Sequence, residues 1–290
     1  MCKIIDLMDQ LAKKNGFNYT PLSGVKIFKA SQYLPREPLC YEQGMIIVGQ
    51  GSKRVFLGEK EYEYNPDSYL VLTVPLPVEC ETKDIPFIAL MVDINIGILN
   101  RIIEQMDNYI DHSLLKQKDK HQGLFLAHTT QEIKNSVVKL LSTLQSDVES
   151  KVIGPGIVHE LIFRIMCGEN AAPLYALAMK NTNLSKVDRA LRQIHGNYQH
   201  AMNIDKLAGL VNMSPSAFHR AFKEVTSSSP IQYLKKIRLD KAQKLLMRSG
   251  IRVNEVATEV GYESATQFSR EFKRYFGKTP VSLIDNRSDL

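Results

Sequence analysis

Two segments in the last third of the chain, residues 204–223 and 253–276, carry polar and basic side chains at helical spacing. Arginine can donate two hydrogen bonds to guanine and glutamine can pair with adenine, whereas lysine neutralises a phosphate. Side chains of these types on one exposed helix face would fit the base edges and the backbone of DNA. The candidates are Ser216, His219, Arg220, Lys223, Thr266, Gln267, Arg270, Lys273 and Arg274, together with Lys278 just after the second segment.

The two segments are copies of one unit, 49 residues apart at their start and 50 thereafter. In the first copy, IDKLAGLV predicts a short helix, Asn212 a turn, and Ser214 followed by Pro215 the beginning of a second helix. In the second copy, VNEVATEV predicts the first helix, Gly261 the turn and Ser264 the next cap. Such a tandem repeat is typical of paired DNA-reading units. The matching positions are Ile204, Ala208, Phe218, Phe222 and Pro230 in the first copy and Val253, Ala257, Phe268, Phe272 and Pro280 in the second.

Buried aromatic residues decide which face each second helix exposes. Phe218 and Phe222 are four residues apart and should pack on the first helix of their copy. Phe268, Phe272 and Phe276 should do the same in the second copy, which leaves the polar candidates on the solvent side. An ordinary helical hairpin explains one such unit equally well, but two in register with basic outward faces favour DNA binding.

A long helix predicted between the copies would set their spacing. Ser229 and Pro230 open it, and Gly250 is predicted to end it. About 18 residues at about 1.5 Å each make a rod of roughly 27 Å, near the helical repeat of DNA at about 34 Å. Both second helices could then enter successive major grooves on one side of a duplex.

The repeat resembles the DNA-binding region of the AraC/XylS family of bacterial transcription regulators. The second copy, VNEVATEVGYESATQFSREFKRYFGKTP, is close to the family's signature, and the match runs from Ser185 to about Ile284. The resemblance implies a regulator, mostly of the activating kind, that works with RNA polymerase. It implies base contacts for Ser216, His219, Arg220, Thr266, Gln267 and Arg270, while Lys223, Lys273, Arg274 and Lys278 are predicted to contact phosphates.

Residues 24–96 read as short strands rich in Val, Ile, Tyr and Phe, without helices between them. This spacing predicts antiparallel pairing in a β-barrel or a two-sheet sandwich. Helical stripes of apolar residues between 97 and 168 are predicted to pack beside the barrel, although one of them could make a dimer contact instead. The predicted turns are Gly51 and Ser52, Gly58 and Glu59, residues 65–67, and Lys83 and Asp84.

The chain is therefore predicted to be an α+β protein of two domains. Residues 1–180 form an antiparallel β-barrel with packed helices, and residues 185–290 form an all-α domain with two helix-turn-helix units. A polar stretch at 181–184 is the predicted linker, and Ser185 is the predicted N-cap of the helix that follows. Residues 44–82 also resemble, less specifically, the cupin-like sensory domain found upstream in one AraC subgroup.

The net charge of +6 is concentrated in the repeat region. From Leu184 onward, 18 Lys and Arg residues oppose 10 Asp and Glu residues, whereas the remainder of the chain carries 19 against 21. The surplus of positive charge therefore suits a polyanionic partner.

No run approaches the roughly 18 apolar residues of a membrane span, and Asp6 and Asp9 make the start an amphipathic helix and not a signal peptide. Four cysteines without CxxC spacing predict buried, reduced thiols. A cytoplasmic bacterial protein is predicted.

No catalytic constellation is recognisable in the N-terminal half, and no cofactor is expected. Lys53 and Arg54 could face an anionic effector, or they could be the charges that protect a strand edge. The early histidines are predicted to lie outside the strands and do not predict a metal site. They are His112, His121, His128 and His159.

The predicted partners are double-stranded DNA, a small-molecule effector of unknown identity, and a second copy of the chain in a homodimer. An effector would act through its different affinities for two states of the protein. One alternative is a regulator with an empty barrel that is controlled by protein partners or by its own concentration. Another is a barrel enzyme or small-molecule-binding protein whose basic helices are only an anchor.

Overall fold

An antiparallel sheet precedes a set of helices in the computed structural model, which describes residues 2–106, 122–168, 170–248 and 251–285. The strands in these ranges are β1 (Gly16–Tyr19), β2 (Val25–Ala30), β3 (Glu37–Tyr41), β4 (Gly44–Leu57), β5 (Lys60–Tyr64), β6 (Ser68–Leu72), β7 (Leu76–Asp93) and β8 (Leu124–His128). They form a single sheet in the order β1-β2-β7-β4-β6-β8, with β3 on β7 and β5 on β4. Every pair is antiparallel, as predicted.

Strands β4 and β7 run through two of the predicted turns, at Gly51 and Lys83, which are therefore wrong. Gly51 lies at an irregularity in the register of the two strands, with a φ of +77°. A Cβ at this position would lie 2.5 Å from the carbonyl oxygen of Asp84. A glycine inside a strand can mark a bulge where two backbones approach closely, as well as a turn. The turns at Gly58 and at residues 65–67 are confirmed.

Six helices of the described ranges belong to the N-terminal half. They are α1 (Cys2–Leu11), α2 (Ile96–Met106), α3 (Gln131–Thr143), α4 (Asp147–Val152), α5 (Gly154–Met166) and α6 (Ala172–Ala178). The opening helix and the three apolar stripes are confirmed as α1, α2, α3 and α5, whereas α4, α6 and β8 were not predicted. No helix in the described part of the chain is long and apolar enough to cross a membrane.

Two smaller predictions need correction. His128 is the last residue of β8 and so lies in a strand. Strand β8 was not predicted, because its segment is far in sequence from the other strands. His112 and His121 fall outside the described residues. Cys167 is exposed, whereas Cys80 is buried and Cys40 half-buried. Cys167 directly follows the last turn of α5, where the chain leaves the protein interior.

The C-terminal half is helical and contains both predicted helix-turn-helix units. Its helices are α7 (Asn183–Gly196), α8 (Ile204–Leu210), α9 (Pro215–Thr226), α10 (Pro230–Leu246), α11 (Val253–Glu259), α12 (Ala265–Phe276) and α13 (Pro280–Asp285). The first unit is α8 with α9, and the second unit is α11 with α12. Ser229 caps α10 as predicted. The 17 residues of α10 span roughly 25 Å. The predicted end at Gly250 and the last five residues of the chain lie outside the described ranges.

Helix α7 begins earlier than predicted, inside the stretch 181–184. Its N-cap is Thr182, whose hydroxyl accepts a hydrogen bond of 3.1 Å from the backbone N–H of Ser185. Ser185 is buried in the first turn and is not the cap. Both residues are good caps by type, and the extended backbone of Thr182 selects it.

The two units repeat their backbone geometry as well as their sequence. The turn residues Asn212 and Gly261 both have positive φ, at 55° and 88°. The second helices also end alike, since Ser227 and Gly277 are left-handed C-caps with φ of 55° and 72°. Glycine adopts such conformations without steric strain, whereas residues with a Cβ adopt them at a small cost in free energy. The match at both turn and C-cap supports a duplication of the whole unit.

The first unit shares its apolar interior with the sheet, whereas the second unit has an interior of its own. Phe218, Phe222 and Tyr233 belong to the cluster that also contains the core of the sheet. The second cluster contains Phe268 and Phe272 and is built on the last two turns of α10. Helix α10 therefore contributes to both interiors, and the boundary between them crosses it.

Candidate nucleic-acid interface

Helix α9 exposes the predicted candidates of the first unit. Phe218 and Phe222 are fully buried, while Ser216, Arg220 and Lys223 are exposed on the other side. His219, the remaining candidate of this helix, is exposed as well. Neither Arg220 nor Lys223 forms an ion pair with a described residue. The two cations are therefore available to a polyanion without first breaking such a pair.

Local capping fixes where α9 and α12 begin. The hydroxyl of Ser214 accepts from the N–H of Ala217, and that of Ser264 accepts from the N–H of Gln267. A capped first turn still leaves other backbone N–H groups free to bind an anion. The candidates assigned to base contacts lie closer to the beginning of each helix than the candidates assigned to phosphates. In helix-turn-helix proteins the N-terminal residues of the recognition helix contact the base edges.

Helix α12 exposes Thr266, Arg270, Lys273 and Arg274. Gln267 is also exposed, but its side-chain amide donates a 3.2 Å hydrogen bond to Glu271. One of its two N–H groups is thereby occupied, and the carbonyl oxygen and the other N–H remain for a base. Arg220 and Arg270, by contrast, form no hydrogen bond or ion pair with a described residue, so their donors are available to an external partner.

Glu271 fixes the position of α12, a role that the sequence did not reveal. Its carboxylate accepts hydrogen bonds from Lys235 of α10 at 2.9 Å, from the Tyr262 hydroxyl at 3.0 Å, and from Gln267. Burial by itself would raise the pKa of Glu271, but the hydrogen bonds outweigh it and the pKa is lowered. The charged carboxylate therefore ties the helix to α10 and to the turn. The sequence feature that could have identified this role is the position of Glu271, which is three residues after Phe268 and therefore on the inward face of α12.

Lys278 differs from the other predicted phosphate contacts. It is half-buried, and its Nζ lies 3.5 Å from Oε1 of Glu37 on β3. The pair is partly exposed and so contributes little to stability. A phosphate at this position would have to compete with Glu37, because the same ammonium cannot fully serve both.

The sheet domain contacts the helical domain behind the candidate surface. The N–H of Gly123 donates to the carbonyl of Val225 at the end of α9, at 2.9 Å. Asp240 of α10 accepts from the N–H of Cys40 on β3 at 3.1 Å. The contact at α9 lies near its C-terminal end, whereas the base-contact candidates lie nearer its beginning, and the N-terminal domain leaves those candidates exposed.

A cavity of about 320 Å³ lies inside the sheet domain, walled by side chains of β1 to β5 and β7 and by Gln243 of α10. Lys53 is 5% exposed and lines this cavity, so its interpretation as a charged strand edge is wrong. Arg54 points elsewhere and pairs with Glu61 and Glu81. Within the described residues, no group of three or more His, Cys, Asp or Glu side chains is arranged to hold a metal ion.

Two helix-turn-helix units joined to an antiparallel sheet domain define a class of one-chain transcription regulators. Residues 21–173 match the family model described as the AraC-type transcriptional regulator N-terminus, and residues 207–285 match a helix-turn-helix domain model. The chain belongs to the AraC family of transcriptional regulators.

Two curated relatives and one solved structure illustrate this similarity. The lactose operon transcription activator of Staphylococcus xylosus is 25% identical over 60% of this chain and 61% of its own length. The raffinose operon transcriptional regulatory protein RafR of Pediococcus pentosaceus is 26% identical over 61% and 62%. The chain thus spans about three fifths of each relative. The apo crystal structure of a ToxT variant from Vibrio cholerae has the same fold, with a TM-score of 0.61, 11% identity, and coverage of 94% of this chain and 98% of that chain.

Proposed function

We propose that the chain is a sequence-specific DNA-binding transcription regulator that reads two successive major grooves with α9 and α12. The observation that carries the proposal is the pair of duplicated units, each with its phenylalanines buried and its polar candidates exposed. Helix α10 joins the two units, and its length of roughly 25 Å is of the same order as one turn of DNA at about 34 Å.

The proposed contacts divide into two kinds. Hydrogen bonds to base edges give sequence specificity, whereas contacts to phosphates give affinity that falls with salt. The base contacts are Ser216, His219, Arg220, Thr266, Gln267 and Arg270. The phosphate contacts are Lys223, Lys273, Arg274 and Lys278, with Lys278 released from Glu37 in the complex.

The N-terminal domain is proposed to regulate this DNA binding. We place the domains at residues 1–180 and 185–290, with the join at the beginning of α7, and we assign the first domain to the binding of a small-molecule effector. The regulator would act as an activator with RNA polymerase in the bacterial cytoplasm, and two copies would assemble on paired sites. Regulation and not turnover is the proposed role of the sheet domain.

Selection of binding sites from random duplexes, followed by affinity measurements, tests the proposal. The selected site should bind at least about 10³-fold more tightly than random DNA, and affinity for both should fall steeply between 50 and 200 mM salt. A random-sequence duplex of the same length is the control. Equal affinity for selected and random DNA would contradict sequence-specific reading, and affinity that does not vary with salt would contradict the phosphate contacts.

A further inference from the structure

The recognition helices α9 and α12 each carry a phenylalanine in edge-to-face contact with a buried tyrosine. Tyr233, in the first turn of α10, has its ring centre 5.4 Å from that of Phe222 on α9. Tyr262, in the turn before α12, has its ring centre 5.3 Å from that of Phe268. The two tyrosines are alike in these ring contacts but differ in the groups that their hydroxyls bind.

The hydroxyl of Tyr233 connects the sheet domain to the helical domain. It donates a 2.8 Å hydrogen bond to the carbonyl oxygen of Pro75, between β6 and β7, and lies 2.8 Å from Nε2 of His195 on α7. Because the hydroxyl has one proton and the carbonyl can only accept, Nε2 must donate to the hydroxyl. Burial lowers the pKa of His195, so the ring is neutral at neutral pH and carries its proton on Nε2. These bonds fix the ring of Tyr233 between the sheet domain and α9.

The hydroxyl of Tyr262 bonds within its own unit instead. It donates to the carboxylate of Glu271 on α12, at 3.0 Å. The apolar cluster around Phe268 contains no described residue of the sheet, unlike the cluster of the first unit. The second unit does contact β3, through the pair of Lys278 and Glu37, but a partly exposed pair contributes little. The tie between a recognition helix and the sheet domain is therefore much stronger for α9 than for α12.

Two further close contacts hold the C-terminal end of α9 against the sheet domain. The N–H of Gly123, directly before β8, donates to the carbonyl of Val225. A Cβ at Gly123 would lie 2.6 Å from the side chain of Val74 and 3.0 Å from this carbonyl oxygen, so glycine permits the approach. A Cβ at Gly58 would lie 3.2 Å from the Cβ of Ser227, the C-cap of α9. The sheet domain thus holds α9 by its end and leaves the beginning of the helix exposed.

We infer that Tyr233 is a positioning residue through which the sheet domain orients α9, so that reading of one half of the DNA site depends on it. Side chains that recognise a ligand must be held to within about 0.5 Å of their working positions. Phe222 lies on the inner face of α9 and Arg220 on the outer face, so movement at the ring of Tyr233 is transmitted to Arg220. The half of the site read by α12 does not depend on Tyr233. The statement about DNA rests on the proposed function, whereas the orientation of α9 by the sheet domain does not.

A double-mutant cycle in the full-length protein tests the inference. Tyr233→Phe keeps the ring and is expected to fold, but it leaves the Pro75 carbonyl and the His195 N–H without their partner. The base pairs read by α9 are those whose replacement no longer matters in Arg220→Ala. At these base pairs Tyr233→Phe should lose about three- to tenfold in discrimination, with no change at the base pairs read by α12. The loss caused by Arg220→Ala should be correspondingly smaller in Tyr233→Phe than in the wild type.

The matched control is Tyr262→Phe, which removes the same group from the second unit. It should reduce discrimination only at the base pairs that depend on Arg270. A role of Tyr233 in general stability alone would lower both halves equally and leave the loss caused by Arg220→Ala unchanged, and either result would overturn the inference.

Amide chemical shifts measured by NMR without DNA provide a second readout. Tyr233→Phe should shift the amides of the outer face of α9, including Arg220 and Lys223, and leave those of α12 in place. Unchanged shifts on the outer face of α9 would also overturn the inference. A wild-type protein that prefers no DNA sequence would contradict the proposed function, and the chemical shifts would still decide whether Tyr233 orients α9.

Discussion

Replacing Arg220 and Arg270 together by alanine is expected to weaken binding to the selected DNA site by about 2–6 kcal/mol. Each guanidinium is exposed, lies on a different recognition helix, and forms no ion pair with a described residue. Each is therefore expected to contribute about 1–3 kcal/mol of base discrimination, and the two losses should add because the side chains do not share partners. Fluorescence anisotropy with the selected and random duplexes measures the effect.

The matched control for the arginine pair is the lysine pair, Lys223→Ala with Lys273→Ala. These exposed lysines are assigned to phosphates, so their removal should weaken selected and random DNA alike and reduce the salt slope by roughly two. Neither double variant should change the free energy of unfolding appreciably, since the side chains are exposed. If the arginine pair weakened random DNA as much as the selected site, base reading by these residues would be ruled out.

Gly261→Ala is expected to lower the free energy of unfolding of the second unit by about 2–4 kcal/mol. The residue has a φ of +88°, and a Cβ there would overlap the backbone carbonyl oxygen of Gln199 and lie 2.8 Å from its carbon. Neither atom belongs to a flexible side chain, so the turn between α11 and α12 must move. Urea denaturation gives the stability loss, and binding to the selected duplex should fall with it.

Gly209→Ala provides the opposite case in the first unit. Gly209 is inside α8, and a Cβ there would meet no atom within 4 Å. Alanine is the better helix former, so this variant is expected to gain up to about 1 kcal/mol of stability. A similar loss of stability in both variants would show that the Gly261 effect does not arise from its particular turn geometry.

The helical half could be predicted well because its signals are local. Ser214, Ser264 and the phenylalanines four residues apart fix each unit within about 25 residues of sequence. Because the unit is duplicated, the same cap and phenylalanine pattern occurs twice and supports the prediction twice. Exposure of the predicted contacts followed from the buried faces, except at Lys278, whose partner Glu37 lies on a distant strand.

The sheet half was predicted less accurately because strand pairing depends on residues far apart. Gly51 is a turn residue by type, yet β4 continues to pair with β7 on both sides of it, at Gln50 and at Ser52. Strand β8 joins the sheet beside β6 from a segment more than 50 residues later, and its sequence alone gave no sign of pairing. The same limitation applies to Lys53, because only the curvature of the sheet places it among Phe28, Tyr41 and Phe87.

The division of the interior along α10 has a consequence for how the molecule comes apart. Ile237 packs with the sheet cluster, whereas Leu239, two residues later, packs with the second cluster. We therefore expect the first helix-turn-helix unit to unfold together with the sheet and the second unit to unfold separately, so that the cooperative units would differ from the functional domains. Hydrogen exchange would show this as low protection confined to α11 and α12. A fragment that begins at α7 would contain both helix-turn-helix units, but it would lack the sheet residues that pack on the first of them.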